Sequence, residues 1–170
     1  MVMKMHNIKY FDTHAHLHDP RYETSEWGST DGMINTAVEG GLAYAVNIGT
    51  NLEDAKKAIA FAEKYPFIYA AVGMYPSEAQ YAGDELDAHL YEIEKMLSHP
   101  KVVALGEIGL DYHYEDTDKA VQQYAFDAQM QIFMDKNILD FIRYETVWYA
   151  VGHLMRRLTE EFKKAEQLGE

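Results

Sequence analysis

Three residues of this 170-residue chain have the side chains and the spacing needed to bind a metal ion. His14 and His16 are separated by a single alanine in the segment FDTHAHLHD. Alternate side chains on extended backbone point to the same side, so both imidazoles are expected to face one cavity. Glu107 lies in the apolar run LGEIGL, where a carboxylate is costly unless it has a partner. Two imidazoles and a carboxylate favour zinc, manganese or a similar divalent ion.

Histidine pairs also occur as ordinary hydrogen-bonding or surface residues, and the residues alone leave that interpretation open. The other histidines of interest are expected away from the site. His18 is predicted to lie on the surface, and His153 is predicted to be a surface or packing residue of a helix. His113 and Tyr112 are predicted to lie in a loop that could line a cleft.

Short apolar runs alternate with amphipathic stretches along the chain, which is typical of a parallel α/β fold. The runs are almost continuously apolar, as strands buried on both faces are. The predicted strands are residues 8–11, 42–48, 67–74 and 101–106. The first predicted helix covers residues 30–39, and the second follows a capping box of Thr50 and Glu53 and ends at Pro66. The third and fourth predicted helices are indicated by apolar residues at helical spacing: Leu86, Leu90, Ile93 and Leu97 in the third, and Val121, Ala125, Ala128 and Ile132 in the fourth.

Functional residues of parallel α/β proteins collect where strands end. The first predicted strand leads into His14 and His16, the third is followed by Tyr75, and the fourth is followed by Glu107 with Asp111 just beyond. Further along, residues 137–145 are predicted to form a fifth strand and residues 146–170 a long helix. No linker or low-complexity segment is evident, so residues 1–170 are expected to form a single domain.

Composition narrows the possible classes of protein. The chain has no cysteine and no long apolar run, which favours a cytoplasmic protein without a membrane span. Its net charge of −13 disfavours non-specific binding to nucleic acid through lysine and arginine. Bound metal ions could still supply the positive charge that a nucleic-acid substrate requires.

Three segments together resemble the TatD family of metal-dependent hydrolases and DNases: FDTHAHLHD, AAVGMYPSEA and KVVALGEIGLDYHYED. The resemblance extends from about residue 8 to residue 132, and GEIGLDY after a His-x-His start is a specific combination. It implies a TIM-type barrel of the amidohydrolase superfamily that binds divalent metal ions, whether Zn, Mn or Mg, at the carboxyl ends of its strands. It also implies hydrolysis of phosphodiester bonds in DNA by metal-activated water, as in a 3'-5' exonuclease.

The same resemblance implies roles for individual residues. His14 and His16 correspond to ligands of one metal ion, and Glu107 to the catalytic carboxylate that contacts both metal ions. Apart from the resemblance, four residues in or near the predicted cleft are expected to contact the substrate: Tyr75, Asp111, Tyr112 and Arg143.

The chain departs from the family pattern in three ways. Tyr75 replaces a histidine before the proline of the third-strand motif, and Arg143 falls where the family has a metal-binding histidine. Arginine cannot ligate a metal because it stays protonated, although it could bind a phosphate. The sequence also supplies only about five of the eight βα units of a barrel, so we expect an incomplete TIM-type fold, truncated at its C-terminal side.

Several interpretations remain open at this level. The chain could be a metal-dependent DNase, a catalytically inactive or fragmentary family member, or a module that binds a phosphorylated ligand through Tyr75 and Arg143. The partner would be DNA or another phosphodiester. A homo-oligomer could cover the open sheet edges.

Overall fold

The computed structural model describes residues 9–113 and 116–136 of the chain. Four parallel strands alternate with helices and form one sheet of order β1-β2-β3-β4. The strands are β1 (Tyr10–Ala15), β2 (Leu42–Gly49), β3 (Ile68–Val72) and β4 (Val102–Leu105). The helices are α1 (Thr30–Glu39), α2 (Leu52–Lys64), α3 (Pro76–Ala82), α4 (Leu86–Met96) and α5 (Lys119–Lys136), with short 3-10 helices at Pro20–Thr24 and Gly83–Glu85. The predicted parallel βα alternation is confirmed.

Local sequence signals set the ends of α1, which has the predicted bounds. The Ser29 side chain accepts a hydrogen bond from Gly32 N at the start of the helix. At its end, Gly41 has a φ of 110°, a left-handed conformation that favours glycine. The helix therefore begins at Thr30 and ends at Glu39, where these local signals place its ends.

The predicted capping box of Thr50 and Glu53 at the start of α2 is wrong. Asn51 is the N-cap, and its side chain accepts a hydrogen bond from Asp54 N. Thr50 instead donates its backbone N–H and its hydroxyl to a carboxylate oxygen of Asp54. Asparagine caps helices as well as threonine does. The helix begins at Leu52, one residue later than a cap at Thr50 would require, so the cap position falls on Asn51.

The helices cover one face of the sheet. Two buried clusters lie there: one around Val72, Ile93 and Phe126, and one around Ile34 and Ile68. The opposite face carries a smaller cluster of Val46, Ile48 and Ala71. On that second face the aromatic side chains of Phe11 and Tyr44 remain about half exposed, at 45% and 50%.

Two differences from the predicted elements affect the site. Strand β1 continues past Phe11 to Ala15 and so includes His14. On α5, Ala125 of the predicted stripe is buried and Val121 packs against the core, but the buried face also contains Gln122 and Gln129.

The predicted fifth strand at 137–145, the predicted helix at 146–170, Arg143 and His153 lie outside the described residues. None of the helices in residues 9–113 and 116–136 combines the length and the apolar character that a membrane span requires.

Candidate metal centre

The carboxyl ends of β1 and β4 bring two imidazoles and one carboxylate together. The distance from Nε2 of His14 to Oε2 of Glu107 is 3.7 Å, and the distance from Nε2 of His16 to the same oxygen is 3.9 Å. One ligand atom from each residue lies within 4.8 Å of the other two. Ligand atoms that each lie about 2.0–2.2 Å from one ion are separated from one another by roughly 3–4 Å. The two distances to Glu107 therefore match the spacing of ligand atoms around one ion, and the ligand atoms of the two histidines lie within 4.8 Å of each other.

The meeting of these residues depends on the curvature of the sheet. β1 and β4 are the two outer strands of the described sheet, with β2 and β3 between them. Three flat interstrand spacings of about 4.8 Å would separate the outer strands by roughly 14 Å. His14 of β1 and Glu107, two residues beyond β4, nevertheless meet at 3.7 Å, so the outer strands curl towards one face, as they do in a segment of a barrel.

The imidazole of His16 is oriented by a backbone carbonyl. Its Nδ1 lies 3.1 Å from the oxygen of Ile48, and because a carbonyl only accepts, Nδ1 carries the proton and donates. In the neutral ring, Nε2 then has a free lone pair, and this is the nitrogen that faces Glu107. Metal-binding histidines are commonly held by such a bond at the other ring nitrogen.

Glu107 reaches the site because Gly73, the residue directly after β3, has no side chain. A Cβ atom on Gly73 would lie 2.7 Å from the carbonyl carbon of Gly106 and 3.0 Å from the nitrogen of Glu107. Gly106 N also donates to the oxygen of Val72 at 2.8 Å. Close backbone packing between the ends of β3 and β4 thus sets the position of the carboxylate.

The predicted surface location of His18 is wrong. Only 9% of its side chain is exposed, and both ring nitrogens lie 2.9 Å from an oxygen: Nδ1 from Oδ1 of Asn47 and Nε2 from Oδ1 of Asp54. The same Asn47 oxygen accepts from the backbone N–H of Leu17 at 2.8 Å. Burial of this imidazole is tolerated because both of its nitrogens are hydrogen-bonded.

The electrostatics of this pair follow from the same contacts. Burial alone would lower the pKa of His18, but its bonds to Asp54 and Asn47 outweigh burial and raise the pKa above its ordinary value. Burial alone would raise the pKa of Asp54, but hydrogen bonds from His18 and Thr50 lower it to about 2. The contacts between the two side chains thus favour the charged form of each, an imidazolium beside a carboxylate.

A cavity of about 230 Å³ adjoins the candidate metal centre on the side of His16. His18, Thr50 and Asp54 form part of its wall, and Lys57 of α2 contributes an exposed ammonium group. The cavity shares His16 with the metal-ligand set, so a ligand bound in it would lie next to that set.

The residues predicted to contact the substrate have different surroundings. The hydroxyl of Tyr75 donates to Oδ2 of Asp111 at 2.9 Å, and Asp111 is buried. Tyr112 is 37% exposed, and the ammonium group of Lys119 lies 5.3 Å from the centre of its ring. The structure thus brings Tyr75 and Asp111 together and leaves Tyr112 at the surface. Arg143 lies outside the described residues.

Two buried glutamines of α5 were not identified from the sequence. Gln129 bonds through both of its amide atoms to the backbone N–H and carbonyl of Met74. Gln122 makes the same pair of bonds to the backbone of Asp111. Each glutamine thereby anchors one of the loops that follow β3 and β4. Their spacing of about two helical turns, on one face of α5, is the signal that could have found them.

A parallel βα sheet that curls like a barrel segment and carries a His-x-His pair and a glutamate at its carboxyl end defines the class of TIM-type metal-dependent hydrolases. A family model described as TatD related DNase matches residues 11–139. The chain belongs to the TatD family.

Named relatives agree with this assignment. The uncharacterized metal-dependent hydrolase YabD of Bacillus subtilis is 34% identical over 128 residues, which are 75% of this chain and 48% of that protein. The 3'-5' ssDNA/RNA exonuclease TatD of Cronobacter turicensis is 35% identical over 102 residues, 60% of this chain and 38% of that protein.

The solved structures support the fold. The crystal structure of YjjV, a TatD homologue from Escherichia coli K12, superposes with a TM-score of 0.65 at 28% identity. The superposition covers 75% of this chain and 48% of the YjjV chain. The described residues thus form part of a TIM-barrel-type fold, and the chain spans about half the length of the relatives it matches.

Proposed function

We propose that the chain binds a divalent metal ion through His14, His16 and Glu107 and hydrolyses phosphodiester bonds in single-stranded nucleic acid. The observation that carries the proposal is the convergence of the three ligand atoms within 4.8 Å of one another. The chain's membership of the TatD family supports the same conclusion. Its relatives include proteins named as metal-dependent hydrolases and as a 3'-5' ssDNA/RNA exonuclease.

The donor set fits a divalent ion. His16 already carries its proton on Nδ1, which leaves Nε2 able to bind. Glu107 adds one negative charge, which offsets part of the charge of the ion. Nitrogen and carboxylate donors together suit Zn²⁺ and Mn²⁺, and they exclude neither Mg²⁺ nor a second ion. When bound, such an ion stabilises charge on a phosphoryl oxygen and lowers the pKa of water.

The chain's own residues have two tasks in this proposal. His14, His16 and Glu107 hold the ion at the carboxyl end of the sheet, where a strand of nucleic acid has access to it. Lys57, in the adjoining cavity, contributes a positive charge that can attract a phosphate of the substrate. The chain as a whole carries a net charge of −13, which repels a nucleic-acid strand, so the ion and Lys57 supply the local positive charge that attracts its phosphates.

A nuclease assay tests the proposal. A single-stranded oligonucleotide labelled at one end is incubated with the protein and Mn²⁺, Zn²⁺ or Mg²⁺, and the products are separated by length. Cleavage is expected in the presence of an ion and is expected to disappear with EDTA and in His14→Ala. Cleavage that persists in His14→Ala would show that the activity comes from another site or from a contaminant.

Ion binding is measured separately by calorimetry on the same samples. Ion binding without cleavage of any oligonucleotide would refute the hydrolytic part of the proposal and favour the inactive family member. Absence of both would refute the metal centre. A phosphate-binding module that does not hydrolyse its ligand gains no specific support, because the hydroxyl of Tyr75 is engaged with Asp111.

A further inference from the structure

His18 is the third histidine of the segment FDTHAHLHD, and it is not part of the metal-ligand set. Its ring lies between two structural elements, since Asn47 belongs to β2 and Asp54 to α2. The bond to each oxygen is 2.9 Å long. His18 thus ties the segment that follows β1 to two separate parts of the fold.

Asn47 gives this connection a fixed base. It is fully buried in β2, where its Nδ2 donates to the oxygen of Ala58 at 3.4 Å. Its Oδ1 accepts from Leu17 N and faces the ring of His18. One buried oxygen therefore binds the backbone N–H of Leu17 and the side chain of His18, the two residues that directly follow His16.

The residue after Asn47 in β2 orients His16 itself, because the oxygen of Ile48 accepts from Nδ1 of His16. That bond requires residues 16–18 to keep a fixed position along the length of β2. The side chain of His16 is 42% exposed, so packing alone restrains it weakly. The orientation of its ring therefore depends on how firmly residues 16–18 are held.

We propose that His18 is a positioning residue, whose two hydrogen bonds hold residues 16–18 so that His16 keeps its Nδ1–H bond to Ile48 and presents Nε2 to the metal ion. The inference rests on the proposed function, because an oriented His16 matters for binding the ion. Outer hydrogen-bond partners of metal-binding histidines typically change metal affinity by about 10–100-fold when they are removed.

The direct test is the tautomer of His16 in the ion-free protein, read from its imidazole ¹⁵N chemical shifts at a pH where the ring is neutral. The wild type is expected to show the proton on Nδ1. In His18→Ala the shifts are expected to move towards the mixture of tautomers of an unconstrained imidazole. If His18→Ala does not fold, Asp54→Ala serves instead, since it keeps the imidazole and removes its anchor on α2.

The matched control is a second pair of histidine and carboxylate that involves the same helix. Nε2 of His99 lies 3.3 Å from Oε1 of Glu63, which is in the last turn of α2, whereas Asp54 is in its first turn. His99 precedes β4, so this pair is at the end of the sheet opposite to the candidate metal centre. His99→Ala is expected to leave the tautomer of His16 unchanged.

Zn²⁺ titration of the same variants separates this inference from the proposed function. The affinity is expected to fall by roughly tenfold or more in His18→Ala and to stay within about twofold in His99→Ala. If the wild type binds no ion but the tautomer shifts in His18→Ala, the metal centre is refuted and the positioning role stands. If the tautomer of His16 is the same in the wild type and in the folded variant, His18→Ala or Asp54→Ala, the positioning role is refuted whatever the ion affinity.

Discussion

The side-chain amide of Gln129 in α5 forms two hydrogen bonds with the backbone of Met74. Its Oε1 accepts from Met74 N at 2.7 Å, and its Nε2 donates to Met74 O at 3.1 Å. Met74 directly follows Gly73, at the point where the chain packs against Glu107. A polar side chain buried in a helix thus completes the hydrogen bonding of a loop next to the candidate metal centre.

Replacing this glutamine by leucine should destabilise the protein. Gln129→Leu leaves the N–H and the carbonyl of Met74 buried without partners, and each such group costs about 1–3 kcal/mol. We therefore expect the free energy of unfolding, measured by urea denaturation, to fall by roughly 2–6 kcal/mol. Gln131→Leu on the same helix is the control, since Gln131 is exposed and should change the value by less than about 0.5 kcal/mol. Equal losses in the two variants would contradict this account.

Adding a methyl group at Gly73 should disturb the metal centre. In Gly73→Ala the new Cβ would lie 2.7 Å from the backbone of Gly106, so the segment that carries Glu107 must move. We expect the affinity for Zn²⁺ to fall by about tenfold or more, as measured by calorimetry. Gly83→Ala makes a useful comparison, because a Cβ there meets nothing within 4 Å, although its positive φ adds local strain. Unchanged ion affinity in Gly73→Ala would show that Glu107 is not positioned in this way.

Neutralising the carboxylate should weaken ion binding more than the loss of any outer partner. Glu107→Gln keeps the size of the side chain but removes its charge and one of its acceptor atoms. Since removing an outer partner costs about 10–100-fold, we expect the affinity for Zn²⁺ to fall by more than about 100-fold. The midpoint of thermal unfolding should also stop rising when the ion is added. Glu63→Gln, at the other end of the sheet, should bind the ion as the wild type does.

Acid should remove the contribution of Asp54 to stability. The pKa of Asp54 is lowered from 3.8 to about 2 in the folded protein. A lowered pKa stabilises the fold fully above the ordinary value, and this contribution is lost as the pH falls through the folded value. The difference in unfolding free energy between wild type and Asp54→Asn should therefore be larger at about pH 5 than at about pH 2.5. Asp84→Asn, at an exposed position, should differ little from the wild type at both pH values. A difference for Asp54→Asn that does not shrink in acid would contradict the assignment.

The parts of the structure that depend on residues close to one another in the sequence could be predicted. The serine before α1 and the glycines after it mark both ends of that helix. His14 and His16 could be placed together because the period of an extended chain is two. Their meeting with Glu107 followed from the parallel order of strands, which brings all strand ends to one edge.

Contacts between distant residues could not be predicted in this way. His18 was expected on the surface because nothing beside it indicates a partner, whereas its partners Asn47 and Asp54 lie about 30 residues or more away. A local signal did exist, since Asn47 interrupts an apolar strand and a buried amide requires hydrogen-bond partners. Gln129 was overlooked because glutamine on a helix usually faces solvent.

The candidate metal centre joins the first and last strands of the described sheet, β1 and β4. An ion held there would act as a non-covalent cross-link over the full width of the sheet. Amide protons of the outer strand β1 would then exchange with solvent more slowly once the ion is bound, in step with those of β4 and without any new contact between the two backbones.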